Sequence, residues 1–182
     1  MHVIWKTAMS MDGRIASADA DLGFLDSIGT HEEAEKEFPL FLKSLDAVMV
    51  GAATLRWLLD GGHGWPHDDL PTWVVTHDPV LLTRVGTTRA PLRQVDGDLG
   101  RAFAEMEAAG HVRVWLAGGG DVAGQALALD RVDEIIVTIA PTVLGAGPAL
   151  FDGEALPLRR FRLSECRALG GNAARLRWVR DH

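Results

Sequence analysis

The chain has 182 residues, 47% hydrophobic and 24% charged, and at roughly 150 residues per domain this predicts a single domain over 1–182. Eighteen basic against 25 acidic side chains give a net charge of −7, which argues against a nucleic-acid partner, whose phosphates need a basic surface. The lone Cys166 excludes an internal disulfide framework and a two-cysteine zinc site, and with no apolar run near the ~18 residues a bilayer needs and no signal-peptide pattern, the expectation is a cytoplasmic protein without a membrane partner.

The elements follow in chain order. The run from His2 to Met9 is apolar, β-branched at its start and bounded by Asp12-Gly13, which predicts a buried strand ending in a turn. From Thr30 to Leu45 the period becomes helical, with Ala34, Phe38, Phe41, Leu42 and Leu45 on one stripe. Thr30 and Glu33 form a capping box, and Pro39 threatens a kink or a split. Ala47–Val50 is a second buried strand, stopped by Gly51, with a short helix over 54–59. Pro71–Thr76 is a third strand and Leu92–Val95 a weak fourth. Leu99–Ala109 is an amphipathic helix closed by Gly110. Val112–Ala117 is a strong strand that runs into Gly118-Gly119-Gly120 and a helix to about Leu129, followed by a strand over Val132–Ala140. Phe161–Leu169 and Ala173–Val179, split by Gly170-Gly171, read as a β-hairpin. Alternating strands and helices predict a three-layer α/β fold: a mostly parallel sheet with helices on both faces, and the hairpin as an antiparallel edge.

Charge is uneven. Residues 155–182 hold seven arginines against Glu165 and Asp181. They are either a solvated edge or a contact for an acidic partner subunit.

Four strand ends carry candidate chemistry. Gly118-Gly119-Gly120 joins a strand to a helix N-terminus, where free N–H groups and the helix dipole favour an anion and missing side chains let a pyrophosphate approach. With Ala123 it fits the dinucleotide fingerprint loosely, and a purely structural turn stays open. Gly51-Ala52-Ala53-Thr54 repeats the strand-to-helix arrangement, with Thr54 as a cap or a phosphate contact. Thr76 ends the third strand at the same rim. Asp12 follows the first strand, at the carboxyl edge where open parallel sheets bind ligands, and either forms the turn or faces a substrate. In the acidic helix, Glu35 flanks the apolar stripe, where a partly buried carboxylate could donate a proton. His63 and His67 have metal-ligand spacing, but Gly64 and Pro66 interrupt it, so no metal is expected.

Taken in order, several pieces resemble the dihydrofolate-reductase-like superfamily, and more closely the reductase domain of the riboflavin-biosynthesis deaminase–reductase in a short stand-alone form. They are Ser10-x-Asp12-Gly13-Arg14-Ile15-Ala16, Asp46–Gly51 with Thr54, Pro71–Thr76, Val114–Gly120, and Val132-Asp133-Glu134 leading to Pro141, Leu144-Gly145-x-Gly147 and Leu150-Phe151. The resemblance implies NADPH. Ala8 and Ile15 would offer main-chain groups to the nicotinamide. Gly51 and Thr54 would meet phosphates at one helix start, and Gly118, Gly119, Gly120, Asp121 and Val122 at the other. Thr76 would lie near the adenosine ribose. Asp12 and the helix bearing Glu35 would face a small-molecule substrate, and a homodimer is expected. The family usually places a base after Gly51; Ala52 stands there instead, which leaves NADH open unless Arg56 or His77 compensates. The implied reaction is hydride transfer to a C=N or C=O carbon, with 5-amino-6-(5-phosphoribosylamino)uracil as the first substrate candidate. Dihydrofolate reduction, or a non-catalytic nucleotide-binding homodimer, are the alternatives.

Overall fold

The structure is a computed structural model that describes residues 1–29, 32–153, 156–170 and 172–181, with the side chains of 32–35 outside that description. Eight strands form one sheet: β1 (His2–Met9), β2 (Ala47–Gly51), β3 (Thr72–Val75), β4 (Leu92–Val95), β5 (Arg113–Gly118), β6 (Glu134–Ile139), β7 (Phe161–Leu169) and β8 (Ala173–Arg180). Their order is β4-β3-β2-β5-β1-β6-β8-β7. The first six strands pair in parallel, and β8 joins β6 and β7 antiparallel.

Strand alternation builds two separate cores. Val3, Trp5, Ala47, Met49, Trp73, Val114 and Leu116 face one side. There they meet α4 (Leu99–Ala108) through Phe103 and Met106, and α5 (Gly120–Ala128) through Val122, Ala123 and Ala126. The intervening Ile4, Val48, Val50, Val74 and Trp115 face the other side. They meet α1 (Glu32–Lys43) through Phe41 and Leu42, α2 (Ala52–Asp60) through Leu55, and α3 (Pro79–Val85) through Leu81. The three expected layers are therefore present, with the hairpin at the β7 edge.

Some details depart from expectation. α1 runs through Pro39 without splitting; its Thr30–Glu33 capping box lies outside the described residues. The helix α3 and a 3₁₀ turn over Gly23–Ile28 were not expected from the sequence. For α3 the signal was present: the Asp78 carboxylate caps Val80 N–H at 3.0 Å and Pro79 opens the helix. Five of the seven hairpin arginines find acids in this chain. Arg159 and Arg180 meet Asp130, Arg177 meets Glu134, and Arg167 and Arg175 share Glu37. The charge asymmetry is thus largely answered within the molecule.

Candidate functional site

The carboxyl ends of β1, β2, β3 and β5 open onto a cavity of about 860 Å³. Its wall contains Ile15, Gly51, Thr54, Thr76, Gly118, Gly119, Gly120, Asp121 and Val122. Residues from four separate stretches of sequence are thus brought into one space. The wall starts at an irregularity: β5 pairs Met49 with Leu116 but Val50 with Gly118, so Ala117 is skipped in the ladder. Such an extra residue bends a strand and re-aims the residues after it.

Two of the helix starts around this cavity, α2 and α5, differ from that of α3, whose cap Asp78 also stands in the wall, and from that of α4. α3 and α4 carry side-chain caps, from Asp78 to Val80 N–H and from Asp98 to Arg101 N–H. α2 and α5 have glycine N-caps, Gly51 and Gly119, with no side-chain cap bond. First-turn N–H groups have no carbonyl inside their own helix to meet. Both uncapped starts line the same cavity, so two sets of such donors and two positive dipole ends face one space. Such a pair of starts could hold a group with two phosphates.

The glycines differ in what they tolerate. A Cβ at Gly118, which has φ +140°, would come within 2.6 Å of Thr54 Oγ1. One at Gly120 would sit 2.1 Å from the Ala149 carbonyl oxygen. One at Gly119 would meet only Thr54 Oγ1, at 3.6 Å. Gly118 and Gly120 are therefore held by packing, whereas Gly119 leaves open space on the cavity wall. At the far end of the cavity, Thr76 is buried and its Oγ1 accepts from Asp78 N–H at 3.0 Å. Arg56 also stands in this wall, where its guanidinium reaches Asp78 at 3.3 Å, and His77 bonds Asp96 at 2.5 Å.

Ala8 is outside the cavity wall, where Trp5 and Thr7 stand instead. Its main chain is nevertheless well placed. Odd-numbered residues of β1 turn their main chain to β6, as the Val3 carbonyl does in accepting from Asp133 N–H at 3.0 Å. Even-numbered ones turn to β5, as His2 N–H does in donating to the Val112 carbonyl at 2.6 Å. The ladder to β5 ends at the Trp5–Leu116 pair, so the Ala8 amide and carbonyl face the opening beyond it. The Ile15 N–H is taken by the Pro148 carbonyl at 3.0 Å.

Asp12 is a strut. Its carboxylate accepts from Ser10 Oγ at 2.6 Å, Leu144 N–H at 3.0 Å and Gly145 N–H at 2.8 Å. These bonds, the Ser10 hydroxyl first and the Leu144 amide next, hold its pKa down to about 2. At neutral pH it is an acceptor with no proton to give, and it ties the β1 turn to the loop after β6. The side chain of Glu35 lies outside the described residues. The glutamate of α1 seen turning inward is Glu37, whose carboxylate Arg167 holds below the usual range. Neither histidine of the 63/67 pair meets a ligand set among the described residues: His63 stacks on Trp57, and His67 sits among Phe38, Trp65 and Trp115. Sequence reasoning missed a second cavity, under α1, lined by Lys6, Glu37, Phe38, Phe41, Arg167 and Arg175 among others. The alternate spacing of Arg175 and Arg177 in a strand was its one legible sign.

The family pattern described as RibD C-terminal domain matches residues 59–174. The uncharacterised protein YwjB of Bacillus subtilis (strain 168) is 28% identical over 174 residues, 95% of this chain and 94% of its own. A putative riboflavin biosynthesis protein from Shewanella sp. PV-4 superposes with a TM-score of 0.84 at 24% identity, over 100% of both chains. A deaminase/5-amino-6-(5-phosphoribosylamino)uracil reductase from Thermotoga maritima gives 0.69 at 14% identity, over 99% of this chain and 56% of its own. A dihydrofolate reductase from Enterococcus faecalis, complexed with NADP(H), gives 0.63 at 14%, over 100% of this chain and 97% of its own. At these identities the three structures share a fold with this chain.

Proposed function

Because the chain belongs to the RibD C-terminal domain family, and so to a group of reductase-like oxidoreductase domains, we propose that it is an NADPH-dependent reductase of the riboflavin-biosynthesis type. The observation that carries the cofactor is the pair of uncapped helix starts, α2 and α5, meeting across Gly118–Gly120 in one cavity. The α2 and α5 amides hold the pyrophosphate. The Ala8 main chain and the Ile15 carbonyl fix the carboxamide end. When bound, the cofactor supplies a hydride to a C=N or C=O carbon of the substrate. Asp12 shapes the turn beside that end and takes no part in proton transfer. Glu35 is the proposed proton donor. On that reading Glu35→Gln lowers turnover by at least about a hundredfold and leaves cofactor affinity unchanged; full turnover in this variant assigns the proton to water.

The test is direct binding. At a hundredfold excess over its dissociation constant, NADPH should stabilise the protein by about 2.7 kcal/mol, read as a thermal shift, and 5-amino-6-(5-phosphoribosylamino)uracil should then oxidise it. Absence of any shift with NADPH or NADH refutes the reading. Ala52 offers no cation to a 2′-phosphate. Ala52→Arg should therefore raise the preference for NADPH over NADH by about tenfold, the worth of roughly 1.4 kcal/mol. An unchanged ratio would assign that contact to Arg56 or His77.

A further inference from the structure

The second cavity, about 380 Å³, lies between α1 and the β1–β6–β8–β7 part of the sheet. Its cations stand in two rows set by strand register. Lys6 pairs with Ile136, Ile136 with Arg177, and Arg177 with Glu165. One step on, Ala8 pairs with Thr138, Thr138 with Arg175, and Arg175 with Arg167. Side chains two residues apart on a strand share a face, so Lys6, Arg175 and Arg177 are directed together under α1.

The charges in this cavity are unevenly matched. Arg177 is answered by Glu134 at 2.6 Å. Arg167 and Arg175 converge on Glu37, with Arg167 at 2.5 Å from both of its oxygens, and Arg167 also reaches Glu165 at 3.2 Å. Lys6 has no ion pair among the described residues; its ammonium sits 5.5 Å from the Phe41 ring centre and 5.9 Å from that of Phe38. Burial, and then the neighbouring Arg175, bring its pKa down to about 8, a sign that a cation is held there without enough negative charge. Glu37 is 41% exposed on a helix and can swing out to water, whereas Arg175, 11% exposed, cannot follow it.

We infer that the cavity under α1 is an oxyanion site in which Glu37 stands in for the phosphate monoester of a ring-bearing ligand, and is displaced by it. A carboxylate offers two oxygens, which the two guanidinium groups use fully. A phosphate monoester offers three and nearly twice the charge, enough to take both arginines and Lys6. Arginine forks suit that geometry. The phenyl faces of Phe38 and Phe41 form the apolar wall for the ring. The Arg175–Arg167 row runs through Ala8, so this cavity flanks the reaction end of the larger one. The inference rests on the reductase reading only in calling the ligand its substrate.

Isothermal titration calorimetry with phenyl phosphate tests it without any cofactor or turnover. Glu37→Gln, which removes the competing carboxylate, should tighten binding at least tenfold over wild type, and Arg175→Met should weaken it at least tenfold. Phenol and inorganic phosphate should each bind more weakly than phenyl phosphate, since each lacks one half of the ligand. Gly119→Val, which fills the dinucleotide cavity, should leave the affinity unchanged. Loss of binding in Gly119→Val would place the phosphate at the α2 and α5 starts and overturn the inference. Equal affinity of wild type and Glu37→Gln, or no heat from either, would also overturn it. Because Glu37 is part-exposed and Arg175 is 11% exposed, the Glu37 variant serves as the decisive one if Arg175→Met fails to fold. Failure here leaves the NADPH thermal shift intact, so the two readings fall separately.

Discussion

Gly119 and Asp12 both follow the carboxyl ends of parallel strands, and their surroundings give them opposite duties. Around Gly119 the space is open apart from Thr54, so a side chain there changes what the cavity admits and little else. Gly119→Val should keep its circular dichroism and melting temperature and lose NADPH binding by more than about a hundredfold, or some 2.7 kcal/mol. Retained affinity would remove the loop from the site. Asp12 carries three hydrogen bonds that join two loops. Its carboxyl is held at about 2, against 3.8 for an unrestrained aspartate. Its contribution to stability is therefore complete above about pH 4 and lost as pH falls through 2. Asp12→Asn should lower the urea midpoint at pH 7 and make little difference near pH 2. An equal loss at both pH values would show that the charge is not what ties the loops. Asp12 was legible as a turn residue, because a short carboxylate before glycine suits a turn. Its partners, Leu144 and Gly145, were not, since they lie more than 130 residues away in sequence.

Among the elements, the α2 and α5 starts lack the side-chain caps that Asp78 and Asp98 give α3 and α4. Asp98 satisfies Arg101 N–H at 2.9 Å and is itself outside the cavity wall, which the preceding Gly97 lines. Asp98→Ala should cost about 1 kcal/mol in urea unfolding and leave the NADPH affinity at its wild-type value. A change in affinity would mean that α4 communicates with the site. A cap added at α2 or α5, by contrast, would compete with the ligand. The glycine turn before α5 was readable from sequence because glycines after a strong strand have few uses. The α3 helix was equally signalled by Asp78-Pro79, but its seven residues are too short for a helical period to show. Two features were invisible at this scale. The irregularity at Ala117 is a matter of pairing with β2, and the inward turn of Glu37, among several glutamates of one helix, depends on arginines 130 and more residues further on.

Across the whole molecule, the alternation of strands and helices and the change of hydrophobic period were enough to predict a three-layer α/β sheet with a hairpin edge, because each element must bury one face and the local pattern says which. The same local rules placed Gly51, Thr54, Thr76 and Gly118–Gly120 at strand ends, and the sheet's parallel pairing brought those ends to one rim. Strand order was beyond them. Inserting β5 between β2 and β1 is what brings the two uncapped helix starts together and ends the β1–β5 ladder at Trp5, short of Ala8. The charge split of the chain was likewise visible, but not its resolution: only the folded hairpin sets Arg167 and Arg175 opposite Glu37, and Arg177 opposite Glu134. Sequence by itself determined the layers, the rim and the residue types placed there, since these come from short-range periodicity and backbone chemistry. The tertiary structure alone decided which rim residues share a cavity, which carboxylate is a strut and which cations converge on one acid, since each of those depends on contacts between segments that chain-local physics cannot pair.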